Sequence, residues 1–527
     1  MTHNKLNNKE NTIFNDRRWY LIVSFLFTII LIIPYLVAYI NTPVGMVFDG
    51  FILNSVDNFT YLSKMQNAVD GWSFINNYSP LARDGGYHFM FYILSGKIAL
   101  LLHIPFIVMF HISRIAASMF LLWSLYKFIA IFQLSDKLKR LMFLVGILGS
   151  SNESFLLLVN SLKSDKSNFF FIFMGGARIP ELLPSTTMLY YPHIILIFAL
   201  QLQVWRLVNN YEQSMIKTSL QIGFYLLLMA LIHPFTPVFT GLGCTMYLIY
   251  LLYKSGSLKL NNLYPISFFG LIPLPYLLYS YRAFQTLPTL ILWKTNMVPP
   301  QFFFENFILT TYAVGLPFIF LFLIFDKWSW AGKRKILAWW ITFSVISSML
   351  PIYFAKRLLE GVGAPVLLLV VWWLIEKYPN KNIAYTLLVL MSINTLYLAF
   401  EPLIIIDNNF FSYQYVEQRE AYDWMTKNID RNSLVFTDNF NGNIIPGMTG
   451  IKVVVGHKDE SPNYKESLKK WDDLTANNIG LYPEIKQMGV DYIFYEDRFN
   501  GYKHIDFSKF FFQSIYVNKD ITIYKVE

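Results

Sequence analysis

Cysteine and charge are both scarce in this chain. The single cysteine, Cys244, lies inside an apolar run, so neither an intrachain disulfide nor a thiolate zinc site can be built. Charged residues make up 15% of the 527 positions against 55% hydrophobic and 18% aromatic, a balance foreign to an ordinary soluble domain. The net charge of +9 does not gather into one basic stripe, which argues against nucleic acid as a partner. No G-x-G-x-x-G, G-x-x-x-x-G-K-[ST] or G-x-S-x-G occurs, so these motifs lend no support to nucleotide binding or serine hydrolase chemistry. Internal repeats, common in transporters, are missing as well.

What the chain does have is long apolar runs punctuated by Lys and Arg. A hydrocarbon core about 30 Å thick takes roughly 20 apolar helical residues. Eleven spans are expected, near 19–40, 105–132, 140–158, 186–206, 218–234, 237–253, 263–281, 306–325, 336–354, 362–376 and 383–405. The apolar stretch 88–103 carries Lys97 in its middle and ends at His103-Ile104-Pro105, which reads as a helix lying at the interface. On this count the inner segments hold Lys5, Lys9, Arg17, Arg18, Lys137, Lys139, Arg140, Arg206, Lys217, Lys254, Lys259, Lys327, Lys333, Arg334, Lys335, Lys377 and Lys381. The outer segments are about twice as long and carry fewer cations, so residues 1–18 are expected in the cytoplasm and the C-terminus outside. The first span is too long for a signal peptide, and Asn41-Thr42-Pro43 offers no small-residue cleavage site.

From about residue 406 the texture changes. Glu417–Asn428 places Ala421, Trp424 and Met425 on one helical face. Strands are expected at Ser433–Asp438, Ile451–Gly456 and Asp491–Glu496, followed by a terminal hairpin. The fold class expected is therefore a polytopic α-helical membrane domain over 19–405, with a large first outer loop at 41–104. An extracytoplasmic small α/β domain over 406–527 follows, long enough for its own core. Asn439–Gly450 carries Gly442, Pro446, Gly447 and Gly450 and reads as a turn-rich loop.

The first outer loop is the richest in candidate chemistry. Asp57 precedes Phe59, Leu62, Met65 and Val69 at helical spacing, so its plain reading is a helix N-cap. Its functional reading is an acid held at the outer membrane surface. Glu181 before span four, His193 in its outer half and His233 at the outer end of span five lie on the same side. Ionisable groups at membrane depth are costly and face a cavity or a partner, although a lone histidine is more often a satisfied bundle residue. Glu181, with Glu153 as a weaker competitor, is read as a second carboxylate near Asp57, the pair that acid–base chemistry or a divalent cation such as Mg or Mn requires. Between spans nine and ten lie Lys356, Arg357 and Glu360, and the two cations break the positive-inside trend. A lipid-borne phosphate explains two outer cations there, and headgroup anchoring by snorkelling is the alternative.

Asp57, Tyr61-Leu62-Ser63, Gly71-Trp72, Tyr78 and Arg114, set after a first span and around an interfacial helix, resemble the GT-C superfamily of membrane glycosyltransferases. The branch most resembled is that of the protein O-mannosyltransferases and aminoarabinose transferases. The run from Gly442 to Gly456-His457 resembles tails appended to bacterial relatives. The resemblance implies transfer of a sugar from a polyprenyl-phosphate donor to a lipid, glycan or protein acceptor, with Asp57 as general base. Tyr61 and Arg114 are implied as supporting residues. The sequence reads Val56-Asp57-Asn58 where studied relatives carry paired acids, so no metal is assigned. Two other classes remain open: a transporter or flippase for lipid-linked glycans, and a non-catalytic assembly protein.

Overall fold

The structure, a computed structural model, describes residues 3–52, 54–80, 85–149, 182–211, 214–296, 321, 324, 326–350, 355–378, 380–404, 412–476, 482–499 and 512–526. Glu153, Glu181 and all but two residues of the expected span 306–325 lie outside these.

The chain is mostly helical. In order come α1 (His3–Ile40), α2 (Ser55–Asp70), α3 (Met90–Leu102), α4 (Phe106–Ile129), α5 (Asp136–Leu148), α6 (Pro184–Tyr190), α7 (Pro192–Asn209), α8 (Met215–Ile232) and α9 (Thr236–Lys254). They are followed by α10 (Leu274–Thr286), α11 (Pro288–Asn296), α12 (Lys335–Ser348), α13 (Gly363–Glu376) and α14 (Lys381–Ile404). Among the described residues four helices are long and apolar enough to cross a membrane: Arg17–Ile40, Phe106–Ile129, Met215–Ile232 and Thr236–Lys254. A fifth follows if Leu260–Leu271 and Leu274–Thr286, bent by 42°, count as one span.

Several expected spans are shorter or broken, for local reasons. The stretch 186–206 becomes α6 and α7, because Tyr191 precedes Pro192 and takes the extended conformation (φ −122°, ψ 106°) that proline imposes on its neighbour. At 14 residues each, α12 and α13 are about 21 Å long, short of a full hydrocarbon core. The interfacial stretch 88–103 forms α3, ending at His103 in the left-handed region (φ 54°).

Contacts divide the chain into two compact units: Met1–Pro34 with Ile112–Leu278 and Pro299–Ile404, and Tyr35–His111 with Tyr279–Val298 and Ile405–Glu527. In the first, α7 and α13 are buried along nearly their whole length, as expected of helices apolar all round. Trp205 stacks on Trp340 there at 5.4 Å between ring centroids.

The second unit carries the sheets. Strand β1 (Met46–Phe48) pairs antiparallel with β2 (Tyr413–Tyr415), Met46 opposite Tyr415, tying segment 41–104 to the start of the tail. Beyond it lie α15 (Val416–Asn428), β3 (Leu434–Phe436), α16 (Asn439–Thr449), β4 (Lys452–Val453), α17 (Tyr464–Thr475), α18 (Tyr482–Gln487), β5 (Tyr492–Glu496), β6 (Phe512–Val517) and β7 (Ile521–Val526). The sheet order is β4-β3-β5-β7-β6, with β3 parallel to β4 and β5, and β7 antiparallel to β5 and β6.

Strand alternation gives this sheet two apolar faces. Leu434, Phe436, Ile493, Tyr495 and Tyr524 pack with Trp471 and Leu474 of α17. Val435, Val453, Phe494, Ile521 and Ile523 pack in one cluster with Phe51, Phe59, Leu62 and Met65 of segment 41–104. The tail therefore has a sheet of the expected kind, but one face of it is completed by residues of segment 41–104.

Residues 439–449, expected as a loop, form α16. Asp438 caps it, its side chain accepting from the Asn441 backbone N–H at 2.9 Å. The glycines that suggested turns serve close packing instead. A Cβ at Gly447 would lie 2.8 Å from the backbone oxygen of Phe59 in α2, and one at Gly442 would lie 2.0 Å from that of Val455.

Candidate active site

Asp57 sits in the first turn of α2, where a carboxylate is favoured by the helix dipole. It is not the N-cap that the sequence suggests. That position belongs to Asn54, in the left-handed region with φ 47° and no side-chain capping bond. Asn54 instead donates from Nδ2 to Asp57 Oδ2 at 2.7 Å, and so braces the carboxylate. On the other side His457 Nε2 lies 2.9 Å from Asp57 Oδ1. The Asp459 backbone N–H points at His457 Nδ1, 3.3 Å away, so Nδ1 accepts and Nε2 carries the hydrogen given to Asp57. Asp57 stays 38% exposed while His457 is 13% exposed, an open acid on a nearly buried support.

Behind this pair lies a closed polar layer. Lys64 of α2 is buried and pairs with Glu460 at 2.8 Å, its ammonium 4.6 Å from the Phe89 ring centre. Asn76 donates to the Glu460 backbone oxygen at 2.8 Å. Tyr78 donates to the Asn443 oxygen at 3.0 Å, and burial, helped by Glu460 and Asp57, pushes its phenol well above the ordinary range. Tyr61, implied as a supporting residue, stacks on Tyr92 of α3 at 4.8 Å. The tail reaches Asp57 through two glycines: a Cβ on Gly456 would lie 2.2 Å from the Gly442 backbone oxygen, so only glycine permits this crossing. The next residue is His457.

Chemically the arrangement suits a base. Asn54 and His457 each give a nitrogen donor to the Asp57 carboxylate, which stays partly exposed. Among the described residues no three His, Cys, Asp or Glu side chains gather as a metal site.

The other sequence candidates fall in the first unit. Glu360 is buried, and its carboxylate accepts from Thr236 Oγ1 at 2.7 Å and from Arg357 Nη1 at 3.4 Å. His233 Nδ1 lies 2.8 Å from Thr236 Oγ1 and 3.5 Å from Glu360 Oε2. Gln201 donates to the Glu360 backbone oxygen at 3.3 Å. Arg357, Glu360 and His233 are thus one cluster, with Arg357 29% exposed at its edge. Lys356 lies in the same 3-10 turn, Ala355–Leu359; its side chain is outside the described residues. Arg114 and His193 have other described contacts. Arg114 is fully buried and donates to the backbone oxygens of Met188 at 3.1 Å and Leu31 at 3.4 Å. His193 is 9% exposed with Tyr191 as its ring neighbour.

No family model matches the sequence, and no curated protein matches it. Solved structures do. The chain is similar to ArnT from Cupriavidus metallidurans in its apo state, at 8% identity over 97% of this chain and 98% of that one, TM-score 0.52. ArnT bound to undecaprenyl phosphate matches at 8% identity, 96% and 98% coverage and the same TM-score of 0.52. The Archaeoglobus fulgidus oligosaccharyltransferase, tethered with an acceptor peptide, matches at 11% identity over 91% of this chain and 69% of that chain, TM-score 0.52. The chain shares its fold with these ArnT and oligosaccharyltransferase structures.

Within this fold, the sequence singled out Asp57 but gave His457 no role. The only signal was the Gly-His pair closing a glycine-rich run, and no spacing rule joins positions 57 and 457. Lys64 and Glu460 went unnoticed for the same reason. A lysine inside an amphipathic helix reads as a solvated face until its partner, 396 residues away, is placed beside it.

Proposed function

We propose that this GT-C membrane protein is a glycosyltransferase that moves a sugar from a polyprenyl-phosphate donor to a lipid, glycan or protein acceptor at the outer membrane face. The observation that carries the reading is the exposed Asp57 carboxylate held between Asn54 and His457. In the step envisaged, an acceptor hydroxyl oxygen bonds to the sugar's anomeric carbon while the bond from that carbon to the phosphate oxygen breaks. Polyprenyl phosphate leaves with the electron pair, and the hydroxyl proton passes to Asp57. Arg357 and Lys356 are the proposed contacts for the donor phosphate, with Glu360 orienting the guanidinium. The undecaprenyl phosphate in the ArnT structure supports a polyprenyl donor here. Glu181 is the proposed second carboxylate. The eleven-span topology, with residues 1–18 inside and 406–527 outside, belongs to the same proposal.

The test is Asp57→Asn in membranes supplied with labelled polyprenyl-phosphate sugars. Because Asn54, not Asp57, is the N-cap, the helix keeps its end; the amide oxygen still accepts from His457, and the new NH2 can donate to Asn54 once the Asn54 amide turns over. Expression and thermal stability should match wild type while transfer is abolished, since an amide cannot take the proton. Wild-type turnover in Asp57→Asn would remove Asp57 from the base role.

A further inference from the structure

A cavity of about 500 Å³ opens in the first unit between the end of α7, the last turn of α9 and the start of α12. Its lining divides by chemistry. Leu248, Leu251 and Leu252 form an apolar wall, while Lys254, Lys333 and Lys335 supply three ammonium groups at the rim, and among the described residues no carboxylate lines it. Lys254 is exposed and Lys335 half-buried. Lys333 gives one hydrogen to the Ile131 backbone oxygen at 2.5 Å, which fixes its stem and leaves its other two donors available.

Three like charges around one hollow repel each other, and no described lining residue carries a charge that offsets them. An anion there lowers that cost, and the leucine wall beside it suits an acyl chain rather than a free ion. Cationic pockets between membrane helices that join these two features bind anionic lipid headgroups. All three lysines belong to the segments that the Lys/Arg asymmetry assigns to the inner leaflet.

We propose that this cavity is a binding site for an anionic phospholipid, its headgroup phosphate held by Lys254, Lys333 and Lys335 and its acyl chain against Leu248, Leu251 and Leu252. The site uses none of the residues assigned to sugar transfer, so it stands or falls separately from that activity.

The experiment is native mass spectrometry of the full-length protein in detergent, titrated with dioctanoyl phosphatidylglycerol, dioctanoyl phosphatidylcholine or inorganic phosphate. Phosphatidylglycerol should bind in preference to the other two. Lys254→Gln with Lys335→Gln should weaken it by about 25-fold, each cation contributing about five-fold. The paired control removes the same charge elsewhere: Lys137→Gln with Lys139→Gln lies on α5, away from the cavity lining, and should bind as wild type. Equal weakening in both double variants, or phosphatidylcholine or inorganic phosphate binding as tightly as phosphatidylglycerol, would overturn the proposal.

Discussion

His457 and Asp57 lie 400 residues apart in the chain and 2.9 Å apart in the fold. The proton on Nε2, fixed there by the Asp459 N–H at Nδ1, makes His457 a donor to the carboxylate and so a positioning residue. His457→Ala removes a charge-assisted bond of about 1.5–3 kcal/mol, and kcat should fall ~10- to 100-fold with KM for the donor little changed. His457→Gln, whose Nε2 reaches a similar place, should restore most of the rate. A rate in His457→Ala equal to wild type, or no rescue by Gln, would reduce the contact to packing. Arg357 poses a different question, because its guanidinium already touches Glu360. Arg357→Lys keeps the charge but loses the fork, so donor-analogue affinity should drop ~10- to 100-fold if a phosphate is clamped. An unchanged affinity would leave Arg357 as the counter-ion of Glu360 and a headgroup anchor.

At the level of elements, the sheet's carboxyl edge concentrates buried acid. Glu496 ends β5 fully buried, its Oε2 accepting from Gln418 at 2.8 Å and Asn441 at 3.0 Å, and burial pushes its carboxyl up to about 7. Burial likewise raises Asp438, two residues past β3, and Asp49, just after β1. A carboxyl whose folded value lies above its unfolded one favours folding when protonated. The contribution from Glu496 is therefore full below about 4.5 and is lost as pH rises through about 7. Its size is about 3 kcal/mol. Hydrogen-exchange protection of β5 and β7, corrected for intrinsic rates, should decline between pH 5 and 8 in wild type and decline less in Glu496→Gln. An identical profile in the two proteins would show that the group is not the one titrating. None of this was legible from the sequence, where Glu496 is the last residue of an alternating strand. The strands themselves were legible, because Val435, Phe494 and Ile523 alternate with Leu434, Tyr495 and Tyr524 whichever partner covers them. The helix at 439–449 was not. Gly442 and Gly447 look like turn residues until the backbones of Val455 and Phe59 are seen against them.

For the whole molecule, membrane residence follows from apolar surface as well as from composition. Leu21, Ile22, Phe25 and Leu26 of α1 are each more than half exposed, a row that water would not tolerate and lipid would cover. Sidedness rests on different grounds, the placing of Lys and Arg, and it makes the last prediction. If the inner segments are those rich in cations, reporters fused after Lys335 and after Tyr415 should fall in opposite compartments, the first cytoplasmic and the second external. The base chemistry depends on that second result: Asp57 and His457 sit in the same unit as the tail, so an external Tyr415 requires α12, α13 and α14 to bring about a net crossing. Neither α12 nor α13 spans a full core at 14 residues, whereas α14 has 24. Two short helices crossing as a pair and α14 crossing alone give the same outcome, and so does a single crossing by α14 with the other two lying within the leaflet. Reporters on the same side would leave an even number of crossings between Lys335 and Tyr415, place the Asp57 unit in the compartment of the cationic loops, and remove the outer-face reaction.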